Sequence, residues 1–252
     1  MSQMSESEIR STVERLAPFF HNIQLPFGLQ TYLSEQGRRP EEVNRVETLV
    51  PFVWPSIIEH FGSFSGLRVL DACCNAGGFS FLAARSGAVE VVGVDIVDHY
   101  LEQANFVKRA LDLDNVQFHK CRVEQLHPSQ FGAFDLTFLF DVLYHFENPV
   151  AAMKAIASVT TGMIVIDTIT LEPDIDAPAW VMNVLPPSVE EAEDRSTSQW
   201  RTGHMCQFTP TKRAVMELLD FLGFDAVHVP VTKAYKNSRI EGSVDVFIGV
   251  RR

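Results

Sequence analysis

Between residues 67 and 170 the chain alternates short runs of Val, Ile, Leu and Phe with segments of helical period, and this alternation constrains the fold more than any other feature. The apolar runs lie at 67–70, 91–94, 116–119, 134–140 and 163–166, and helical segments at 79–85, 100–111 and 149–158 separate most of them. Strands apolar on both faces, most of them followed by a helix, predict a parallel sheet covered on both sides. A helix starting at Thr209-Pro210 and ending at Gly223, then apolar runs at 226–231 and 244–250, predict a terminal hairpin that closes the sheet. The expected fold class is α/β: a doubly wound, seven-stranded, mostly parallel sheet.

Residues 1–60 read differently, as an N-terminal helical cap preceding a main domain at 61–252. Ser5 with Glu8 three residues later fits a capping box. Pro40, Glu41 and Glu42 fit the first turn of a second helix, which runs through 46–58 and which Pro51 and Pro55 should break or kink. Asn148-Pro149 is a cap-and-first-turn pair for a later helix. Residues 170–208 hold Pro173, Pro178, Pro186, Pro187 and the acidic run 190–194, and are read either as a lid-like insertion or as a solvated surface excursion.

The segment richest in chemistry is Asp71-Ala72-Cys73-Cys74-Asn75-Ala76-Gly77-Gly78. A buried strand, a small-residue turn and a helix start let backbone approach a ligand, with helix N–H groups directed at it. Asp95 ends the second strand 24 positions after Asp71, with Ile96 beside it, and can accept hydrogen bonds from both hydroxyls of a ribose. Both features predict a nucleoside ligand.

This segment resembles motif I of the class I S-adenosylmethionine-dependent methyltransferases, with the resemblance extending over about residues 65–250. That family usually has glycine at the positions of Cys73, Asn75 and Gly77, and only the third is kept here. Asn75 tolerates a left-handed backbone, whereas Cys73 is a departure that narrows the pocket or alters the turn. Arg122-Val123-Glu124-Gln125-Leu126 matches the family's adenine loop, and Phe140-Asp141-Val142-Leu143-Tyr144-His145 the loop beside methyl transfer. The Val142–Leu143–Tyr144–His145 run, with His21, Ile23, Leu25, Pro26 and Gly28, resembles the tRNA wobble-uridine (carboxy)methyltransferase branch. The N-terminal lysine with which that branch holds a carboxylated cofactor has no counterpart, because residues 1–60 contain no lysine.

The resemblance implies a Rossmann-like methyltransferase fold, an enzyme, and S-adenosyl-L-methionine as cofactor. It assigns Asp71, Cys73, Asn75, Gly77, Asp95, Ile96, Val123, Glu124 and Phe140 to cofactor binding, although Phe140 also reads as core and Glu124 as a solvent-facing residue. Tyr144 and His145 are the catalytic candidates; a histidine suits general-base work on a hydroxyl or thiol at neutral pH. His21, Tyr144, Asp167, Arg201 and His204 are the candidates for contact with the acceptor. No metal is expected, since Asp141 and His145 lack a third ligand.

Charge decides the expected partner. With a formal net charge of −11, the chain is unlike proteins that gain affinity by releasing phosphate counterions, and its basic clusters are confined to 37–39 and 233–239. A small-molecule acceptor, methylated at O, N or S, is therefore expected, with nucleic acid the disfavoured alternative. A nicotinamide-dependent oxidoreductase fits less well because the turn lacks the full glycine fingerprint; a binding module that has lost its cofactor is the last alternative. Cys73, Cys74, Cys121 and Cys206 form no CxxC pair, the first ten residues lack the basic-then-apolar layout of a secretory leader, and no apolar run spans a bilayer; a cytoplasmic setting is expected.

Overall fold

The computed structural model describes residues 4–32, 45–185, 205–229 and 243–252. They fall in two compact units, Met1–Lys120 and Cys121–Arg252. The first unit runs α1 (Glu6–Leu16), α2 (Arg45–Phe61), β1 (Arg68–Ala72), α3 (Gly78–Arg85), β2 (Glu90–Asp95), α4 (Asp98–Leu111) and β3 (Val116–Lys120). The second runs α5 (Pro128–Phe131), β4 (Phe134–Phe140), α6 (Pro149–Val159), β5 (Thr160–Thr170), β6 (Trp180–Leu185), β7 (Met205–Pro210), α7 (Lys212–Phe221), β8 (Phe224–Val229) and β9 (Ser243–Arg251). Seven of the strands make a mixed sheet of order β3-β2-β1-β4-β5-β9-β8, and β6 and β7 form a separate pair. The fold is thus the Rossmann-like, mostly parallel α/β sheet that the alternation predicts.

In the first unit β1 and β2 are parallel, as are β2 and β3. Val69, Leu70, Ala72, Val91, Val92 and Val94 are all buried, so consecutive residues on both faces are covered. The capping box of α1 forms: the Glu8 N–H donates to Ser5 Oγ at 3.4 Å, and the Ser5 N–H to Glu8 Oε2 at 2.8 Å. Ile9, Val13 and Leu16 make the helix's buried face. Gln103 of α4 ties the chain beyond α1 in place, its Nε2 donating to the carbonyls of Leu16 at 2.7 Å and Pro18 at 2.9 Å.

Helix α2 corrects one expectation. It continues from Arg45 to Phe61 with Pro51 and Pro55 inside it. Leu49, Val53 and Ile57, at four-residue spacing, are fully buried, while both prolines lie on the exposed face. Burial of that apolar stripe offsets the backbone hydrogen bonds the prolines remove. The predicted start at Pro40–Glu42 lies outside the described residues.

In the second unit β4 and β5 are parallel, and β9 runs antiparallel to both β5 and β8. Asn148 caps α6 as predicted, Oδ1 accepting the Ala151 N–H at 3.0 Å. Strand β5 extends past both ends of its apolar run, and its buried Thr160 is satisfied: its hydroxyl bonds that of Thr137 in β4 at 2.7 Å and donates to the Ile156 carbonyl.

A further correction concerns 170–211. Thr209 and Pro210 end β7 instead of opening a helix, and α7 is capped by Thr211, whose Oγ1 accepts the Ala214 N–H at 3.1 Å. The prolines masked a strand pair, since β6 and β7 are antiparallel from Trp180↔Pro210 to Leu185↔Met205. The root of this pair is tied down. Leu171 N–H donates to the Pro210 carbonyl at 2.8 Å, Thr211 N–H to Ala179 at 2.9 Å, and Thr211 Oγ1 to Ala177 at 2.7 Å. No helix among the described residues is long and apolar enough to cross a membrane.

Candidate functional site

The turn between β1 and α3 carries three left-handed residues, Cys73 (φ 61°), Asn75 (φ 51°) and Gly77 (φ 82°). These are the three positions the sequence singles out, and the backbone there is indeed of the kind glycine adopts most easily. Glycine is obligatory at Gly77, where a Cβ would meet Phe118 Cζ at 2.7 Å and Phe81 Cε2 at 2.9 Å. Gly93 is similarly constrained by Phe118 and by Cys74 Sγ. Phe118, an aromatic in β3 that the sequence reading passed over, therefore shapes the turn.

The turn's amides differ from expectation in their partners. Cys74 N–H donates to the Val94 carbonyl at 3.0 Å and Gly77 N–H to Cys74 at 2.9 Å. Asn75 N–H donates to Asp95 Oδ2 at 2.9 Å, Ala76 N–H to Asn75 Oδ1 at 2.7 Å, and Gly78 N–H to His21 Nδ1 at 3.1 Å. Every N–H from Cys74 to Gly78 is thus engaged within the fold. What this turn offers a ligand is close backbone approach and two carboxylates.

Asp71 is buried, and Ser80 Oγ donates to its Oδ2 at 2.5 Å. Burial pushes its carboxyl up to about 6, against the hydrogen bonds from Ser80 that favour the charged form. Asp95 is also buried and raised by desolvation, opposed by backbone N–H bonds from Val97, Asn75 and Ile96. Its Oδ1 takes the Val97 N–H at 3.0 Å and its Oδ2 that of Asn75. A carboxylate oxygen has capacity beyond one bond, so Asp95 can still receive hydroxyls while bracing the turn. Ile96 is half-buried beside it. Burial also pushes the Cys74 thiol well up, leaving it a protonated packing group.

His21 lies against α3. Besides accepting the Gly78 N–H, its ring meets Phe79 edge-on with centroids 5.6 Å apart. A candidate acceptor contact from the sequence, it has described contacts with the first turn of α3.

In the second unit Val123, Glu124 and Gln125 form a short 3-10 turn after β3, with Val123 buried and Glu124 half-buried and 3.7 Å from Arg122. Phe140 ends β4, is buried, and stacks on Phe138 with centroids 5.0 Å apart. Asp141 follows in a left-handed conformation (φ 58°), its N–H donating to the Asp167 carbonyl at 2.8 Å. Tyr144 is buried, and its hydroxyl donates to Asp141 Oδ1 at 2.7 Å. Burial lowers His145 to about 4, so it is neutral at pH 7 but a weak proton acceptor. Asp167 is fully buried at the Phe140↔Asp167 register of β4 and β5. Strand β7 and β5 both pack against the Leu143–His145 turn. The structure therefore brings Tyr144, His145, Asp141 and Asp167 to one end of this unit; Arg201 and His204 lie outside the described residues. Asp141, quoted only as part of a motif and as a metal candidate, is the residue the sequence reading undervalued. No group of three His, Cys, Asp or Glu suited to a metal occurs among the described residues.

Residues 63–223 match a family model described as a methyltransferase domain. The tRNA U34 carboxymethyltransferase of Colwellia psychrerythraea is 31% identical over 180 residues, covering 71% of this chain and 51% of that protein. The protein of the same name from Alcanivorax borkumensis is 36% identical over 124 residues, 48% of this chain and 38% of that one. This chain thus spans about half the length of relatives it matches, or less. Among solved structures, the N-terminal domain of EvdMO1 with SAH bound superposes with a TM-score of 0.72 at 19% identity, over 99% of this chain and 98% of that one. Magnesium protoporphyrin IX methyltransferase from Synechocystis PCC 6803 with bound SAH gives 0.57 at 19% identity, over 84% and 85%.

The relatives named for tRNA overturn the expectation that a small-molecule acceptor is favoured and nucleic acid disfavoured. The formal charge sums over the whole chain, whereas nucleic-acid contact depends on the potential at one face. Matched over 63–223, and built on the sheet and β1 turn that the resemblance implied, the chain belongs to the methyltransferase-domain family.

Proposed function

We propose that this chain transfers the methyl group of S-adenosylmethionine to tRNA, at the wobble uridine. The observation that carries this reading is the 31% identity over 180 residues to a tRNA U34 carboxymethyltransferase. Residues 1–60 contain no lysine to hold a carboxylated donor, which favours plain methyl transfer over carboxymethyl transfer. A tRNA acceptor accords with a cytoplasmic setting.

The buried carboxylates fit the cofactor. Asp71, raised to about 6 by burial, would gain a counterion in the amino group of S-adenosylmethionine. Asp95 would accept the ribose hydroxyls, Ile96 and Val123 would pack on the adenine, and Glu124 would accept from its exocyclic amine. Cys73, Asn75 and Gly77 would let the backbone pass close to the methionine portion, and Phe140 is a further candidate contact to the cofactor. When bound, S-adenosylmethionine supplies an electrophilic methyl on a sulfonium. Tyr144, held by Asp141, would orient the acceptor for in-line attack, with Asp167, Arg201 and His204 as further contacts. We further propose residues 1–60 as a cap on the main domain at 61–252, and 170–208 as a lid-like insertion in it.

The test is incorporation of labelled methyl from S-adenosylmethionine into tRNA lacking wobble modification, with the label mapped by nuclease digestion. Label at position 34 is the expected result. A protein that binds S-adenosylhomocysteine yet labels no tRNA would sink the acceptor and leave the cofactor standing.

A further inference from the structure

We infer that His21 is a positioning residue for the cofactor site, setting the first turn of α3 and through it the Asp71 carboxylate. The inference rests on the reading of Asp71 as the cofactor's anionic partner.

Helix α3 begins without a cap of its own, because its N-cap residue is Gly77 and no side chain there bonds the first turn. The leading N–H groups of a helix need partners from outside it. Gly78 N–H finds one 57 positions away in sequence, at His21 Nδ1, 3.1 Å distant. The fit is close: a Cβ on Gly78 would lie 2.7 Å from that nitrogen and 2.8 Å from His21 Cγ. The ring is further seated edge-on against Phe79, at an interplanar angle of 81°.

His21 is itself fixed from behind. Thr31 Oγ1 donates to the His21 carbonyl at 2.6 Å and accepts the Ile23 N–H at 2.9 Å. Thr31 N–H donates to the Ile23 carbonyl at 3.1 Å, and Leu25 N–H to Leu29 at 2.8 Å, closing 23–31 into a compact loop. The imidazole is presented by a braced backbone and accepts at Nδ1, so its proton sits on Nε2.

The consequence reaches Asp71 through two residues. Ser80 follows Gly78 in the same helical turn and donates to Asp71 Oδ2 at 2.5 Å. Cys73 and Asn75, non-glycine residues in left-handed conformations, keep the preceding turn under strain that its surroundings must hold. Loss of the acceptor at His21 lets the first turn of α3 shift, carrying Ser80 off Asp71 and altering the carboxylate that meets the cofactor. A cap serving only stability would leave cofactor affinity untouched in the folded protein.

Calorimetry with S-adenosylhomocysteine on the full chain tests this, using His21→Ala, His21→Asn and His21→Gln. The asparagine amide oxygen stands where Nδ1 stood, whereas that of glutamine lies one bond further out. We expect His21→Ala and His21→Gln to weaken binding about tenfold, the size of one lost hydrogen bond to a buried group, and His21→Asn to stay within about threefold. In turnover, KM for S-adenosylmethionine should rise by a larger factor than kcat falls. If the alanine protein does not fold, the contrast between asparagine and glutamine carries the same test. Equal affinity in all folded variants, or equal weakening in all three, overturns the positioning role. A wild-type chain that fails to bind S-adenosylhomocysteine overturns the cofactor reading itself, and this inference with it.

Discussion

Asp71 and Asp95 are both buried carboxylates, yet the tasks proposed for them differ, and their surroundings separate them. Asp71 meets the hydroxyl of Ser80, and its carboxyl is raised from 3.8 to about 6 by burial. The folded chain therefore holds a proton there that the unfolded chain has released between about pH 4 and 6. Stability contributed by this site falls as pH rises through that window, and at pH 7 the buried charge is a cost on the order of 1–3 kcal/mol. Asp71→Asn should accordingly raise the pH 7 midpoint of urea denaturation while abolishing measurable S-adenosylhomocysteine binding. Binding has the opposite sign, since the cofactor's cation favours ionised Asp71. Wild-type affinity should fall as pH drops below about 6, by up to roughly tenfold per unit, in calorimetry across pH 5–8. Flat affinity over that range would show that Asp71 does not face the amino group. Asp95 is braced by Asn75 and Val97 amides, so on the proposed reading Asp95→Ala loses ribose acceptors and loosens the turn together. A loss of about 1–3 kcal/mol in binding is expected, measured in the same calorimeter. The pattern of acids and small residues in 71–95 made the left-handed turn and its two flanking carboxylates legible in the sequence. The His21–Gly78 bond was not, because a partner 57 positions away leaves no local spacing to read.

At the scale of elements, the strands buried on both faces and the capped helices were legible, since each carries its own signal: Asn148 and Ser5 cap where the sequence places them. Elements held by partners elsewhere were not. Helix α2 survives Pro51 and Pro55 through burial of Leu49, Val53 and Ile57. Strands β6 and β7 were obscured by prolines and by exposed apolar residues such as Met182 and Val184, which give no alternation. Their root depends on Thr211, a fully buried residue whose one hydroxyl accepts from Ala214 and Ala179 N–H and donates to the Ala177 carbonyl. Thr211→Val keeps the shape and removes all three bonds. It should cost about 2–4 kcal/mol, combining a lost N-cap with unsatisfied buried groups, as read from urea denaturation. Because β7 packs against the Leu143–His145 turn, the same variant should lower kcat on tRNA more than it lowers affinity for S-adenosylhomocysteine. A variant as stable as wild type would show that the root is not held at Thr211.

For the whole molecule, the proposed tRNA acceptor raises the question of how a chain with a net charge of −11 would engage a polyanion. Many described cations already face carboxylates: Arg68 meets Glu90, Lys120 meets Asp98, Arg213 meets Asp176 and Glu217, and Arg252 meets Asp220. Exposed pairs of this kind are weak, but they leave little net positive potential over those faces. Phosphate contacts must then be few and local. With about three or four phosphates neutralised, log affinity for tRNA should fall against log salt with a slope of only about −3. Of the two basic clusters in the sequence, the longer is the run 230–242, which holds Lys233, Lys236 and Arg239 against the single acid Glu241. Replacing those three cations together with alanine should lower tRNA affinity at low salt and flatten the slope by about two units, while leaving S-adenosylhomocysteine binding within twofold. Filter binding over a salt series, paired with calorimetry, reads both quantities. An unchanged slope would remove this run from the interface. Absence of tRNA binding by the wild type even at low salt would show that the global charge, and not a local face, governs this chain after all.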